Sequence, residues 1–390
     1  MADGGTLKPG WTKVKFGEVV RLCKDRSSDP EADGIERYVG LEHLEPEDLR
    51  IRSWGLVAEG TTFTSRFKPG QVLFGKRRAY QRKVAVADFE GVCSGDIYVL
   101  ESSDSKYLLP ELLPFICQTD QFFEYAVGTS AGSLSPRTNW KSLKNFEFLL
   151  PPLEQQRQSL RALNAIEKGL NSYRHLYGIN MILLASIGEQ MISDLQVYDS
   201  IEIEEFIQNE HPICYGVVQP GKPDPKGNYL IRVCDIENDS LDLSRLTTIS
   251  ESVDKQYKRS RVKSGDVLVS IVGTIGRIFV VRDEHEGFNI ARAIARISPD
   301  PSICISYFLA NYLNTLSIQR ELTSEAFETA RKTLNLNALK KIDIHLPPKE
   351  IQEEWVKRFF SLEQAKTLCM RRLEATQVTR KNILVELLGG

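Results

Sequence analysis

Two periodicities alternate along the chain, and each occurs twice. Residues 11–150 and 200–346 carry short alternating or apolar runs such as KVAVADF, DIYVLE, RIFVVRD and AIARISP. Gly, Pro and Asn break these runs, and helical stretches such as PELLPFICQTDQFFEYA lie among them, which predicts small mixed α/β globular domains. Residues 153–197 and 349–388 instead lack proline and repeat apolar positions every three or four residues. Leu160, Leu163, Ile166, Leu170 and Tyr173 mark one stripe, and Ile351, Trp355, Phe359 and Leu362 mark the other. A narrow stripe of that period predicts an amphipathic helix. Each helix starts after a double proline, whose missing N–H is harmless in a first turn, and Glu154 and Glu350 suit the positive end of the helix dipole. About 44 helical residues would run roughly 65 Å, longer than a domain of this size needs. The simplest partner for each stripe is the other helix, packed antiparallel as a coiled coil between the globular domains; two unrelated core helices are the alternative. Gly169, Gly178 and Gly188 predict a weak point, with a bend or break, in the first helix.

The two halves are copies. Leu150-Pro151-Pro152 returns as Leu346-Pro347-Pro348, WKSLKNFEF (140–148) matches LNALKKIDI (336–344), and FKPGQVLF (67–74) matches VKSGDVLV (262–269). VGLEHL (39–44) corresponds more loosely to IRVCDI (231–236). Four segments in one order at nearly constant offset define a duplicated unit of about 195 residues. The expected fold is α/β (α+β) with internal duplication, divided into domains at 1–150 and 199–346 and spacer helices at 151–198 and 347–390.

Composition bounds the function. With 42% hydrophobic and 26% charged residues, the chain reads as soluble and globular. It has no eighteen-residue apolar run, and MADGGTLKPGW lacks a signal-peptide pattern, so a cytoplasmic location without membrane contact is expected. Seven cysteines without a C-x-x-C spacing suggest reduced structural thiols, and five histidines without H-x-x-x-H give a metal site no support. A net charge of −2 leaves any nucleic-acid argument to charge placement.

Placement supplies that argument. Arg66, Lys68, Lys76, Arg77, Arg78, Arg82 and Lys83 occupy an acid-free stretch, 66–83. The matching region of the second unit, 255–265, holds Lys255, Lys258, Arg259, Arg261 and Lys263, and Arg277 lies in the segment equivalent to 76–83. Arg137, Lys141 and Lys144 precede one long helix; Arg331, Lys332, Lys340 and Lys341 precede the other. Recurrent cations suit DNA phosphates; a solvated basic face is the bland alternative. Beside them, Thr129, Ser130, Ser133, Arg137 and Asn139 in one unit, and Arg331, Lys332, Asn335 and Asn337 in the other, are side chains suited to base edges, Arg to guanine and Asn to adenine. Tyr80 and Tyr257 could pack on a sugar or base or serve structure. Gly70 to Lys76 also fits a P-loop spacing, but Arg77 replaces the required Ser or Thr, and the intervening Gln71-Val72-Leu73-Phe74 reads as a strand.

With GQVLFGKRRAYQRKV, its counterpart GDVLVSIVGTIGRI, and the paired LKNFEFLLPPLEQQ and LKKIDIHLPPKEIQ, the chain resembles the specificity subunit of type I restriction-modification systems over essentially its whole length. The twice-occurring Leu-Pro-Pro-x-Glu-x-Gln is the most specific element. The resemblance implies two target recognition domains, each reading half of a split DNA sequence, and a helical spacer that sets the gap. It implies no catalysis in this chain. Partners would be double-stranded DNA and modification subunits, two of them expected, with a restriction subunit possible. S-adenosylmethionine and ATP/Mg would be bound by those subunits, with no cofactor on this chain. Consistently, both Pro-Pro pairs follow leucine rather than Asn or Asp, and Pro223-Asp224 has no nuclease triplet in the next sixty residues. The alternatives are a related system whose partner fuses methylation and cleavage, and a protein scaffold built on the coiled coil.

Overall fold

The computed structural model describes residues 9–237, 240–241, 243–325 and 333–387. Two compact units form, residues 1–173 with 372–390, and residues 174–371. The same plan is built in both.

In the first unit, strands Val20–Leu22, Ile97–Ser102, Val72–Gly75 and Val84–Val86 form one sheet in that order. Gly55–Leu56, Arg37–Val39, Gly91–Cys93 and Ser65–Phe67 form another, with one parallel pair. Thr12–Lys15 pairs with Glu147–Leu150 just ahead of the first long helix. In the second unit, Cys214–Tyr215, Ile294–Ile297, Val267–Ser270 and Ile278–Val280 repeat the first sheet. Thr247–Ile249, Asn228–Ile231 and Asn289–Ile290 repeat the second, again with one parallel pair. Ser200–Glu202 pairs with Asp343–His345 ahead of the second long helix. All four matched sequence segments thus fall on equivalent elements. The apolar runs Val72-Leu73-Phe74 and Val267-Leu268-Val269 are buried because their sheet is covered on both faces.

The long helices are Leu153–Leu195 and Lys349–Leu387. Each unit holds part of each. In the first unit, Leu160 and Leu163 share a core with Leu384 and Leu387. In the second, Met191 and Leu195 share a core with Trp355 and Phe359. Start packs with end in both places, so the helices run antiparallel. A buried ion pair, Arg380 Nε to Glu167 at 2.7 Å, fixes their register in the first unit. The predicted weak point at the glycines does not interrupt the helix: it passes through Gly169, Gly178 and Gly188 without a break. Gly188 is packed closely, since a Cβ there would meet Thr315 at 3.3 Å, while Gly169 and Gly178 face open space.

The repeated Leu-Pro-Pro-x-Glu-x-Gln explains itself in its last residue. Gln156, 1% exposed, donates from Nε2 to the Pro151 and Tyr107 carbonyls, both at 2.8 Å, and accepts from the Leu109 N–H at 3.0 Å. Gln352, fully buried, does the same with Pro347 and Ile303 (2.8 and 2.9 Å) and with Ile305 (2.8 Å). One amide therefore locks the first turn of each long helix to its domain.

No helix among the described residues is long and apolar enough to cross a membrane, and among them no group of His, Cys, Asp or Glu is placed to hold a metal. Burial pushes the thiols of Cys93 and Cys304 up to about 12, which fits packing rather than reactivity.

Candidate nucleic-acid interface

The glycine-lysine stretch is a strand. Val72–Gly75 lies between two antiparallel neighbours, and the Gly75 and Lys76 N–H groups donate to Lys83 and Asp96 carbonyls, both at 2.9 Å. Those amides are committed to the ladder, so they form no phosphate cradle. Gly70 sits at φ +86° and its counterpart Gly265 at φ +87°, the left-handed turn that feeds each strand.

Backbone hydrogen bonds then zip the cation segment of the first unit to the polar loop. Thr138 N–H donates to the Lys76 carbonyl at 3.0 Å, and Arg78 N–H donates to the Pro136 carbonyl at 2.7 Å. The loop is closed on itself by reciprocal bonds between Ala131 and Arg137, 2.9 and 3.0 Å. Asp96 joins both parts: it accepts from Arg137 Nε at 2.8 Å and from Arg77 Nη1 at 3.3 Å. The hydrogen bond from Arg137 above all, against a smaller opposing effect of burial, holds the Asp96 carboxyl below its ordinary range. Ser135 Oγ accepts from Arg77 at 3.1 Å and from Arg78 at 3.4 Å. The second unit uses the same junction, with Leu334 N–H donating to the Ile271 carbonyl at 2.9 Å.

Within this frame the candidate cations differ in what they offer. Lys68 and Arg137 are exposed, paired with Asp25 (3.6 Å) and Asp96, and Tyr80 is 56% exposed. Arg77 and Arg78 are half-buried at the loop junction. Arg66 is held by Glu90 at 2.6 Å, and Lys76 lies 4.8 Å over the Tyr98 ring. Arg82 and Lys83 are both engaged inside the domain. Arg82 pairs with Asp120 at 2.8 Å, donates to the Gln118 carbonyl and stacks 4.7 Å over Phe123; Lys83 Nζ donates to the Leu41 carbonyl at 2.7 Å. In the second unit, Lys258 and Arg259 stand exposed on the rim of an open pocket of about 450 Å³. Lys263 is exposed there too, against His211, whose basicity is lowered by burial first and then by Lys263 and Arg296. Lys255 pairs with Glu251 at 2.5 Å. Arg261 is clamped on Asp254, and Arg277 donates to the Val233 and Ile236 carbonyls at 3.0 and 2.8 Å, so both brace the domain.

The candidate base readers also divide. Ser133 is exposed at the loop tip. Thr129 and Ser130 instead bond back to the Tyr125 and Ala126 carbonyls, at 2.8 and 2.7 Å, and finish a helix. Asn139 and Asn335 are equivalent and cap equivalent short helices: Asn139 Oδ1 accepts from Ser142 N–H at 2.8 Å, Asn335 Oδ1 from Asn337 N–H at 2.9 Å. Their place at the head of a helix, eight residues before the strand that begins at Glu147 or Asp343, carried that signal in both copies. Asn337 is exposed; Arg331 and Lys332 lie outside the described residues.

Sequence reasoning missed the residues that hold the basic segment of the second unit. Arg296, 2% exposed, donates from Nη1 to the carbonyls of Arg259 and Arg261 at 2.7 and 2.8 Å, with Asp266 3.8 Å from its Nε. Lone charges inside the alternating runs AIARISP and SGDVLV were the available hint.

The family model for the type I restriction modification DNA specificity domain matches residues 9–176 and 221–376, one segment in each repeat. The chain belongs to this specificity-domain family. Among curated members, it is 48% identical over 156 residues to the type I restriction enzyme EcoBI specificity subunit of Escherichia coli, covering 40% of this chain and 33% of that one. It is 27% identical over 223 residues to the EcoDI specificity subunit of the same organism, covering 53% and 47%. In these matches the chain spans about a third and about half of those relatives. The MjaVIII specificity subunit of Methanocaldococcus jannaschii is 19% identical over 97% of this chain and 92% of its own. The S subunit of a type I restriction-modification system from M. genitalium shares the fold, with TM-score 0.62 and 15% identity over 99% of this chain and 98% of that one. A chain solved in work on assembly and conformational transition of the type I system also shares it, with TM-score 0.58 and 19% identity over 99% of both.

Proposed function

We propose that this chain is the DNA-specificity subunit of a type I restriction-modification enzyme, with each unit reading one half of a split target. The observation that carries the reading is the repeated junction: in each copy the residues just past the end of a central strand are bonded to the segment that leads into an Asn-capped helix, beside exposed cations. Phosphate contacts fix register, and loop side chains discriminate bases. Lys258, Arg259 and Lys263 serve phosphates in the second unit; Lys68, Arg137 and the junction arginines do so in the first.

Catalysis belongs to partners. Modification subunits, two per chain, supply S-adenosylmethionine and methyl transfer, and a restriction subunit, where present, supplies ATP/Mg-driven cleavage. The spacer helices seat the modification subunits, for which exposed apolar side chains such as Ile182 and Phe360, 70% and 59% exposed, are available. Duplex binding by the chain in complex with its copurifying subunits tests this. A steep fall of affinity with salt, above a sequence-specific floor, is expected. Salt-independent binding, or no DNA binding by the intact complex, would leave the helices as a protein scaffold.

A further inference from the structure

The loop between Ala131 and Arg137 exposes a residue that its polar surroundings do not explain. Leu134 is 89% exposed, more than any other large hydrophobic side chain among the described residues, and it stands at the tip of the closed loop. Gly132 at φ +109° turns the chain into this tip. Directly beneath, Ser135 is held by Arg77 and Arg78, while Arg77 and Arg137 share Asp96. Two anchored arginines, a reciprocal backbone bridge and a shared carboxylate fix the base of the loop on either side of the tip. A floppy loop would dissipate the solvation cost of an apolar tip by collapsing onto its own domain; this one is held away from it.

We infer that Leu134 is a specificity-determining contact of the first unit, packing on the C5-methyl group of a thymine in the major groove. The inference rests on the DNA-reading role proposed above. Leucine makes no hydrogen bond to a phosphate or a base edge. Among the groups displayed in the major groove, the thymine methyl is the one apolar target. The cations beside the tip, Arg77, Arg78 and Arg137, favour a polyanion over an apolar protein face.

Replacing thymine by uracil removes that methyl and nothing else. In the full complex with its modification subunits, on the duplex it methylates, each thymine of both halves is replaced in turn. One position is expected to lose about fourfold in affinity, the worth of one buried methyl group. Leu134→Ala should lose about the same factor on thymine DNA and nothing further on DNA carrying uracil there, with an unchanged salt slope. Leu134→Met should keep most of the preference. The assignment is overturned by a target without thymine, by tolerance of uracil at every position, or by losses that simply multiply. It is equally overturned if Leu134→Ala weakens assembly with the modification subunits while DNA affinity holds. Failure of the wild-type complex to bind any specific duplex would instead strike the DNA-reading role beneath it. Because Leu134 is 89% exposed, an unchanged thermal midpoint in Leu134→Ala separates these outcomes from misfolding.

Discussion

The two units share a fold and differ in how their cations are used. In the first, much of a long basic run is engaged by the domain itself: Glu90, Asp120 and the Leu41 carbonyl hold Arg66, Arg82 and Lys83. In the second, the shorter run 258–263 exposes Lys258, Arg259 and Lys263, and a buried Arg296 grips the run from behind through its carbonyls. Density of charge along a sequence is therefore a poor measure of charge available to a polyanion. What matters is whether the fold buries and engages each cation or leaves it exposed.

The shared part of the comparison is the sharpest to break. Gln156→Ala should leave a buried Leu109 N–H and two carbonyls without their partner and cost about 3 kcal/mol in chemical denaturation. Gln352→Ala should cost about the same through the second unit. A loss under 1 kcal/mol in either would remove the amide lock from the account.

The unlike part predicts unlike salt behaviour. Lys258→Ala and Arg259→Ala should each lower the magnitude of the log-affinity against log-salt slope by about 0.9. Arg82→Ala and Lys83→Ala should destabilise the first unit and leave that slope alone. Equal slopes for both pairs would show that the first unit frees its cations on binding.

Smaller effects separate capping from reading. Asn139→Ala and Asn335→Ala should each cost about 1 kcal/mol of stability and leave the recognised bases unchanged. A changed base preference on methylation mapping would return these asparagines to the reading surface.

The smallest effect concerns acid. The folded value of Asp96 lies below its ordinary 3.8, so its contribution is complete above that value and fades as pH falls through the lower folded one. The difference in thermal midpoint between wild type and Asp96→Asn should stay constant above about pH 5 and shrink below about pH 4. A difference that persists unchanged in acid would mean that the carboxylate charge does not brace the loop.

Much of this plan was legible in one dimension. The repeat, the two stripes and the double-proline helix starts are local patterns, and periodicity states them directly. The strand character of Val72-Leu73-Phe74 was equally local, which is why the P-loop spacing could be set aside. Pairing was not local. Asp96 lies beyond the basic run that it braces and Asp120 further still, and only the sheet brings Asp96 under both Arg77 and Arg137. The asparagines were read by residue type alone, and their position at a helix start carried the capping role as well. Gln156 and Gln352 stood inside the most specific motif, yet nothing in a sequence says which carbonyls an amide will find.

The central claim is that two equivalent units read two separate half-sites. Methylation mapping of DNA from cells carrying this chain with its modification subunit, against cells lacking the chain, tests it most directly. A split motif with a fixed gap, present only with the chain, is the predicted result. A stable complex that leaves no new methylation, or that marks one continuous motif, would contradict it.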